Sequence, residues 1–263
     1  MSAIYIAETK NQKDFVTKII EIYKEQIDES QSIFIKPNIV SIEPYPTTTN
    51  PKTLNTLLTL LSDKSIIVGD GHAVDTGITK NILENSDLKK VCDKHNIELT
   101  NLYKKKMKTT KSKRGYKIKT SIIPNECDYV ISLPVLKAHK KCGISGALKN
   151  QFGFLSKIDR ILMHAKIKDI HKGIAEINLV NKTNLFIVDA IETLTKAQEI
   201  RHGGCKAKLN TMIAGTDPVA LDNYGHQLLQ KLDPTIMNNI KHVDYAHQIG
   251  VGKKDYKINK INL

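Results

Sequence analysis

Several features that often reveal the class of a protein are missing from this sequence of 263 residues. Its longest aliphatic cluster, Leu57–Leu61, is far too short to span a bilayer, so no membrane partner is expected. The first residues, MSAIYIAETKNQKD, contain no basic stretch followed by an apolar one, so no signal peptide is expected. These absences favour a cytoplasmic protein.

Cysteine is also scarce, with residues at positions 92, 127, 142 and 205. No two of them form a Cys-x-x-Cys pair, and no run is similar to a ferredoxin cluster motif. Four reduced thiols in a cytosolic protein are therefore expected. Cys142 and Cys205 lie in glycine-containing segments, which leaves a shared metal, iron–sulfur or redox role open as an alternative.

Arginine and tryptophan are nearly or entirely absent, although the net charge is +13. Only Arg114, Arg160 and Arg201 are arginines, whereas arginine is the side chain favoured for recognising phosphates and bases. A lysine excess with much asparagine and isoleucine is more typical of a genome-wide composition bias. Nucleic-acid binding is therefore the less favoured alternative.

Apolar runs of strand length alternate with amphipathic runs of helix length. This alternation predicts an α/β fold with a mainly parallel sheet and helices on both faces, in a single domain over residues 1–263. Continuous apolar cores in two of the strands suit strands that are covered on both faces. The predicted strands are Ala3–Ala7, Ser32–Ile35, Ser65–Val68, Ile97–Asn101, Cys127–Leu133, Asn184–Val188 and Leu209–Ala214. The predicted helices are Asp14–Ile27, Thr53–Leu61, Asp87–His95 and Asp217–Leu232.

One segment departs from this alternation. Tyr103–Thr120 carries eight lysines and one arginine, and it has little apolar content. A solvated hairpin that turns near Arg114 is expected, with a mobile basic flap as the alternative. Because lysines are costly to bury without partners, the segment is predicted to lie outside the core.

Polar residues follow the predicted strands at the point where each one ends. Because the carboxyl ends of parallel strands share one rim, these residues are expected to converge on one ligand site. The residues are Lys36 and Asn38, Asp70 and His72, Lys137 and His139, Asp189, and Thr216 with Asp217. Glycine and aspartate also serve turns and caps, and Asp217 is expected to cap its helix first of all.

A loop rich in proline and threonine precedes the second predicted helix. Thr48 and Asn50 lie in its segment YPTTTNP, just before a helix N-terminus, which is a favourable place for a phosphate or carboxylate. Simple capping of the helix by Asn50 or Thr53 explains the same residues equally well.

The segment Leu133–Gly153 is the richest in chemistry. It combines Ser145, Lys149 and Asn150 with small residues that allow the backbone to approach a ligand closely. Its lysines and its histidine can neutralise an anion, and a desolvated lysine can also act as a base or nucleophile. Solvent-facing lysines on an ordinary helix are the plainer alternative.

These segments resemble the family called domain of unknown function 362. The similarity runs in order along most of the chain. It is carried by KPN at 36–38, TTTNP at 47–51, GDG at 69–71, LPVLKAH at 133–139, SGALKNQFG at 145–153, Met163-His164, VDAI at 188–191 and AGTDPVALD at 214–222. The resemblance implies an α/β fold and a cytoplasmic protein of archaea or bacteria. Some members carry a fused ferredoxin-type segment, and this chain has no such cysteine run.

The leading functional hypothesis is an enzyme that acts on a small anionic ligand. Lys36, Lys137 and Lys149 would bind its carboxylate or phosphate, and His139 would be the acid or base. Asp70 or Asp189 would orient a base or hold a metal, and His164 would complete the site or serve the structure. No full metal-ligand spacing is visible, so a metal is optional and no cofactor is specified.

Overall fold

The computed structural model describes residues 1–76, 81–112 and 114–263. Lys113, which belongs to the predicted basic segment, lies outside the described residues. The strands are β1 (Ser2–Glu8), β2 (Ser32–Pro37), β3 (Ser65–Asp70), β4 (Leu99–Asn101), β5 (Met107–Lys111), β6 (Lys117–Ser121), β7 (Tyr129–Leu133), β8 (Lys137–His139), β9 (Gly143–Ser145), β10 (Leu185–Thr195), β11 (Cys205–Gly215) and β12 (Tyr256–Lys260). The helices are α1 (Gln12–Ile22), α2 (Lys24–Asp28), α3 (Pro51–Leu60), α4 (Asp87–Lys94), α5 (Ile123–Glu126), α6 (Ala147–Asn150), α7 (Lys157–His164), α8 (Ile170–Val180), α9 (Pro218–Leu232) and α10 (Lys241–Gln248).

A central sheet has the strand order β12-β1-β11-β10-β7-β2-β3-β4. Every neighbouring pair in it is parallel except those that involve β11, which runs antiparallel to both β1 and β10. The predicted α/β class with a mainly parallel sheet is therefore confirmed.

Alternating side chains of the sheet build a core on each face, as the pleat of a strand requires. On β2, Ile33 and Ile35 point to one core, which α1, α3 and α4 cover. Phe34 points to the opposite core, which α6, α8, α9 and α10 cover. Helices on both faces are thus confirmed, and they explain why these strands are apolar without interruption.

The direction of β11 corrects one expectation from the sequence. Gly215, the last residue of β11, pairs with Ile4 and with Phe186, which lie near the starts of β1 and β10. Thr216 and Asp217 therefore lie at the opposite edge of the sheet from Lys36 and Asp70. The apolar pattern of a strand does not show whether it pairs in parallel or antiparallel. The sequence therefore could not predict the direction of β11.

The basic segment forms the expected hairpin, with β5 antiparallel to β6. The prediction that it lies wholly outside the core is wrong. Ile118 of β6 is 1% exposed and belongs to the core beneath α8, and Thr120 is buried. Tyr103 packs against Arg160, to which its hydroxyl is hydrogen-bonded. The lysines extend from one side of a hairpin whose other side packs against the protein.

Two smaller differences concern helices. The helix predicted over Asp14–Ile27 is interrupted at Tyr23, between α1 and α2. Asp217 caps α9 by accepting the backbone N–H groups of Val219 and Ala220, as expected. In the described parts of the chain, no helix combines the length and the apolar character that crossing a membrane requires.

Candidate functional site

A cavity of about 260 Å³ lies beside the β8–β9 hairpin. Its lining residues come from four separate parts of the chain: the segment after β3, the β8–β9 hairpin, the end of α7, and the loop between β10 and β11. They are Asp75, His139, Lys140, Lys141, His164, Gln198 and His202. The cavity is therefore built by tertiary folding, and it combines three imidazoles with two lysines.

His139 presents a hydrogen-bond donor to this cavity. Its Nδ1 accepts the backbone N–H groups of Lys141 and Cys142, at 3.1 and 3.2 Å. Since a backbone N–H can only donate, Nδ1 carries no proton and the neutral ring carries its proton on Nε2. Burial, followed by the nearby charge of Lys149, holds the pKa of His139 well below its usual value. The ring is thus neutral, with Nε2–H as its free polar group.

Lys149, on the short helix α6, lies beside the cavity and is not one of its lining residues, but its charge acts on both His139 and His164. Its ammonium sits 5.3 Å from the centre of the Phe152 ring, and no acceptor in the described residues hydrogen-bonds to it. Burial, opposed in part by nearby groups that include Glu199, lowers its pKa from the ordinary value for lysine. A partly exposed cation without a protein acceptor is suited to an anion from solution.

His164 shares the Phe152 ring with Lys149. The His164 and Phe152 rings meet edge to face, with centroids 6.0 Å apart. Burial, together with the charges of Lys149 and Arg160, lowers the pKa of His164 to about 4, so that the ring is neutral at pH 7. No hydrogen bond to His164 occurs among the described residues, which leaves its nitrogens available to a ligand.

Arg160 packs against the aromatic rings on this side of the cavity. Its guanidinium lies 5.3 Å from the centre of the Phe152 ring and 5.8 Å from that of Tyr103. It donates hydrogen bonds to the carbonyl of Gly71 and to the hydroxyl of Tyr103. Arg160 therefore anchors Phe152, which in turn contacts both Lys149 and His164.

A cluster of two carboxylates and one imidazole lies on the other side of the cavity. Asp75, Glu199 and His202 have ligand atoms within 4.8 Å of one another, which is the spacing of a metal site. Arg201, however, pairs with both carboxylates, at 2.7 Å to Glu199 and 3.2 Å to Asp75. A metal ion bound there would have to compete with this guanidinium. None of the four cysteines belongs to the group.

The β10–β11 loop is fixed over the cavity by Glu43. Its two carboxylate oxygens accept the backbone N–H groups of Ile200 and Arg201, each at 2.8 Å. Burial tends to raise the pKa of Glu43, but these bonds and that from the Thr47 hydroxyl lower it overall, so Glu43 stays ionised. The segment between β2 and α3 thus holds the loop that carries Gln198 and His202.

Lys36 and Asp70 face each other at the ends of β2 and β3, away from the cavity lining. Lys36 Nζ lies 2.6 Å from Asp70 Oδ1, and both side chains are almost fully buried. Burial lowers the pKa of Lys36 and raises that of Asp70, and in each case the partner's charge opposes the shift. Each is thus satisfied by the other.

Lys137 is also buried with internal partners. Its ammonium donates to Asn38 Oδ1, at 3.0 Å, and to the carbonyl of Thr47. Burial lowers the pKa of Lys137 to about 7. Ser145 is buried and faces Lys137 across the β8–β9 register. Lys137 therefore links this hairpin to the segment before α3.

Asp189 is a buried carboxylate on β10. It accepts the hydroxyl of Tyr45 at 2.8 Å and the amide of Gln12 at 3.3 Å. Burial raises the pKa of Asp189 to about 6, although the backbone N–H of Ile191 and these two donors oppose the rise. Its contacts join β10 to α1 and to the Pro/Thr loop.

The hydroxyls of the Pro/Thr loop are used within the protein. Thr48 donates to the carbonyl of Glu43, and Thr49 donates to the carbonyl of Leu133. Asn50 caps α3 by accepting the backbone N–H of Lys52. For Asn50, the capping interpretation is the one that the structure shows.

Asn150 ties α6 to the sheet. Its side-chain amide donates to Ser132 Oγ and to the carbonyl of Lys36, while its Oδ1 is buried without a partner among the described residues. The segment that carries Lys149 thus lies against the carboxyl ends of β2 and β7.

Of the residues that the sequence singled out, the structure brings His139, Lys149 and His164 together. Lys36, Asp70, Lys137 and Asp189 have internal partners instead: Lys36 pairs with Asp70, Lys137 donates to Asn38, and Asp189 accepts from Tyr45 and Gln12. Sequence reasoning missed Asp75 and Gln198 as lining residues. Asp75 lies five residues beyond β3, where its position after GDGH was the available signal; Gln198 had none.

The fold and the site together define an α/β protein with a basic, imidazole-lined cavity beside its central sheet. The family model described as domain of unknown function (DUF362) matches residues 33–227, so the chain belongs to this family, as its motifs predicted. No curated protein matches the chain in sequence.

Among solved structures, the chain is similar to the lactate racemase apoprotein from Thermoanaerobacterium thermosaccharolyticum. The TM-score is 0.56 at 12% identity, over 86% of this chain and 57% of that one. A crystal structure of a protein from Thermotoga maritima is similar with a TM-score of 0.48 and 12% identity, over 90% of this chain and 58% of that one. The chain thus spans a little over half the length of these proteins. At such low identity, the first likeness shows a shared fold.

Proposed function

We propose that this protein is an enzyme that binds a small carboxylate or phosphate in the cavity between the β8–β9 hairpin and the β10–β11 loop. The observation that carries the proposal is that the Lys149 ammonium, which has no acceptor in the described residues, lies beside two neutral imidazoles. An anion would supply the missing counter-charge and would raise the pKa of Lys149 by favouring its charged form.

The residues have distinct chemical capacities in this proposal. Lys149 supplies charge, and the Nε2–H of His139 donates a hydrogen bond to an anionic oxygen, as a neutral imidazole can. His164 is neutral at pH 7, and a bound anion that offsets the charge of Lys149 would raise its lowered pKa and so make it a better proton acceptor. This assigns the acid–base role to His164 and the role of stabilising negative charge to His139.

The ligand class agrees with the name of one structural relative. Lactate is itself a small carboxylate, and the similar structure is named a lactate racemase. Because the likeness extends to the fold alone, it does not select lactate among small carboxylates for this chain.

Two measurements on the purified protein test the proposal. Native mass spectrometry should detect a retained small anion, or should show that added sulfate or acetate binds with one-to-one stoichiometry. Incubation of a panel of small carboxylic acids with the protein in D₂O should lead to deuterium incorporation at carbon in at least one of them, and His164→Phe should abolish it. Binding without exchange would support the site and contradict the proton-transfer role. Neither binding nor exchange would contradict both.

Nucleic-acid binding is a second candidate function, supported by a basic groove beside the hairpin. The groove has a volume of about 1190 Å³, and Lys106, Lys108, Lys111 and Arg114 line it. If the groove holds a phosphate backbone, affinity for single-stranded DNA should fall steeply and log-linearly with salt. Flat salt dependence, or binding that survives substitution of these four residues by alanine, would remove this candidate.

A further inference from the structure

Asp222 on α9 contacts the start of α6, the helix that carries Lys149. Its carboxylate accepts the backbone N–H of Ala147 at 2.6 Å and that of Leu148 at 3.0 Å. The first N–H groups of a helix have no acceptor within the helix, so one from elsewhere must satisfy them when they are buried. Here a residue 75 positions away in the sequence does so.

Gly146 makes this contact possible. A Cβ atom at position 146 would lie 2.2 Å from Asp222 Oδ1, far inside van der Waals contact. The glycine of the GALKN segment therefore lets the carboxylate approach the backbone just before Lys149. The contact joins this segment to TDPVALD, the motif that contains Asp222.

The burial of Asp222 lowers the stability of the folded protein. It is 1% exposed, and no cation pairs with it among the described residues. Burial raises its pKa to about 7, although the N–H groups of Leu148 and Ala147 oppose the rise. A buried carboxylate without a cationic partner destabilises the fold, and such costs are typical of functional sites.

We propose that Asp222 is a positioning residue that holds Lys149 at the cavity by fixing the N-terminus of α6. This inference rests on the proposed function, because it explains why the ammonium must be held in one place. Asn150, next to Lys149, bonds to Ser132 and to the carbonyl of Lys36. The helix is thus held at both ends, by α9 at its start and by the sheet at its end.

The test compares Asp222→Asn with a matched control, Asp217→Asn. Asp217 belongs to the same motif and also accepts backbone N–H groups, but those of Val219 and Ala220 in α9 and of Lys253, together with the hydroxyl of Ser2, and none from α6. Acylation of each lysine by acetic anhydride is followed by mass spectrometry between pH 6 and pH 10, with exposed Lys52 as internal reference. Sulfate affinity is measured on the same proteins by isothermal titration calorimetry.

An asparagine offers one oxygen for two N–H groups, so α6 should shift in Asp222→Asn and expose Lys149 to water. The midpoint of the Lys149 acylation profile should then move upward by about one pH unit, towards that of an ordinary lysine. Sulfate affinity should fall on the order of tenfold, because a small misplacement of a binding group is costly. Asp217→Asn should change neither quantity.

Gly146→Ala displaces the same carboxylate from the other side and should reproduce both effects. An unchanged Lys149 profile in either folded variant would overturn the proposal, as would an equal shift in Asp217→Asn. If neither variant folds, Asp222 is a structural residue and the proposal falls. If the wild-type protein binds no sulfate, anion binding at the cavity fails, while the acylation profiles still decide the role of Asp222.

Discussion

Lys36 and Asp70 form an ion pair in which Nζ lies 2.6 Å from Oδ1, although both side chains are almost fully buried. Gly153 lies directly over the pair: a Cβ atom there would come within 2.1 Å of Asp70 Oδ1. The pair therefore fills the end of the sheet beneath the segment that carries Lys149. Its tight enclosure indicates that Lys36 and Asp70 support the segment around Gly153 and do not meet a ligand.

Lys36→Met should destabilise the protein by about 3–5 kcal/mol, because it leaves the Asp70 carboxyl buried without its partner. Adding Asp70→Asn should recover part of the loss. Urea denaturation measures both variants. The control is Lys18→Met, which breaks an exposed pair with Glu21 and should have little effect. A loss no larger than that of the control would show that Lys36 and Asp70 are not coupled in the folded protein.

The β5–β6 hairpin contains both a core residue, Ile118, and exposed lysines. Ile118→Ala should lower the free energy of unfolding by about 2–4 kcal/mol, because Ile118 is buried beneath α8. Replacing residues 112–115 by a short glycine-containing turn should leave cooperative unfolding intact, since Arg114 and Gly115 are exposed. Thermal denaturation followed by circular dichroism distinguishes the two. A larger effect from the tip than from Ile118 would reverse this assignment.

The tautomer of His139 can be observed directly. Its ring should show a protonated Nε2 and an unprotonated Nδ1 in ¹⁵N NMR, and it should stay neutral down to pH 6 because burial holds its pKa well below the usual value. His139→Phe should weaken sulfate binding by about 1–3 kcal/mol through loss of the Nε2–H donor. A protonated Nδ1, or a ring that titrates near pH 6.5, would contradict this assignment.

Stability should depend on pH in two opposite ways. The folded protein holds the carboxyl proton of Asp222 more tightly than the unfolded chain, since the pKa of Asp222 is raised to about 7. The contribution of Asp222 to the free energy of unfolding should therefore fall as pH rises from about 4 to about 7, with Asp189, at about 6, adding to the same slope. His139 and His164, whose pKa values are lowered, contribute the opposite slope below their ordinary pKa of 6.5. The pKa of Lys137 is lowered to about 7, so stability should increase again above that pH.

Denaturation between pH 4 and pH 10 measures this profile. Asp222→Asn should make the slope of stability against pH more positive between pH 4 and pH 7, because it removes the falling contribution of Asp222. It should leave the rise above pH 7 in place, because Lys137 is untouched. Asp217→Asn is again the control. An unaltered slope below pH 7 in Asp222→Asn would show that Asp222 is not protonated in the folded state.

The sequence predicted seven of the eight strands of the sheet, because apolar runs such as Ile33–Ile35 and Val130–Ile131 are a local signal, and it missed the edge strand β12. It could not show that β11 is antiparallel, since pairing partners are set by the whole sheet. Nor could it show that Ile118 enters the core from within a lysine-rich segment. Isolated apolar residues among eight lysines carry too weak a pattern.

The candidate site was predicted in part. His139, Lys149 and His164 stood out because they follow small residues or belong to family motifs. Lys36 and Lys137 stood out for the same reasons, yet they bond internally, and no residue pattern tells a lysine that pairs within the protein from one that awaits a ligand. Asp75 and Gln198 reach the cavity only through the path of their loops, which the sequence does not specify.

The most direct test of the account is Lys149→Met, which removes the charge and roughly keeps the length of the side chain. Sulfate affinity, measured by calorimetry, should fall by about 2–5 kcal/mol, as for loss of one partner in a desolvated charge pair. Stability should change far less, because the ammonium has no internal acceptor in the described residues to lose. Lys52→Met, at an exposed lysine, should change neither. Unchanged affinity together with a large loss of stability would show that Lys149 is a structural residue and would contradict the proposed anion site.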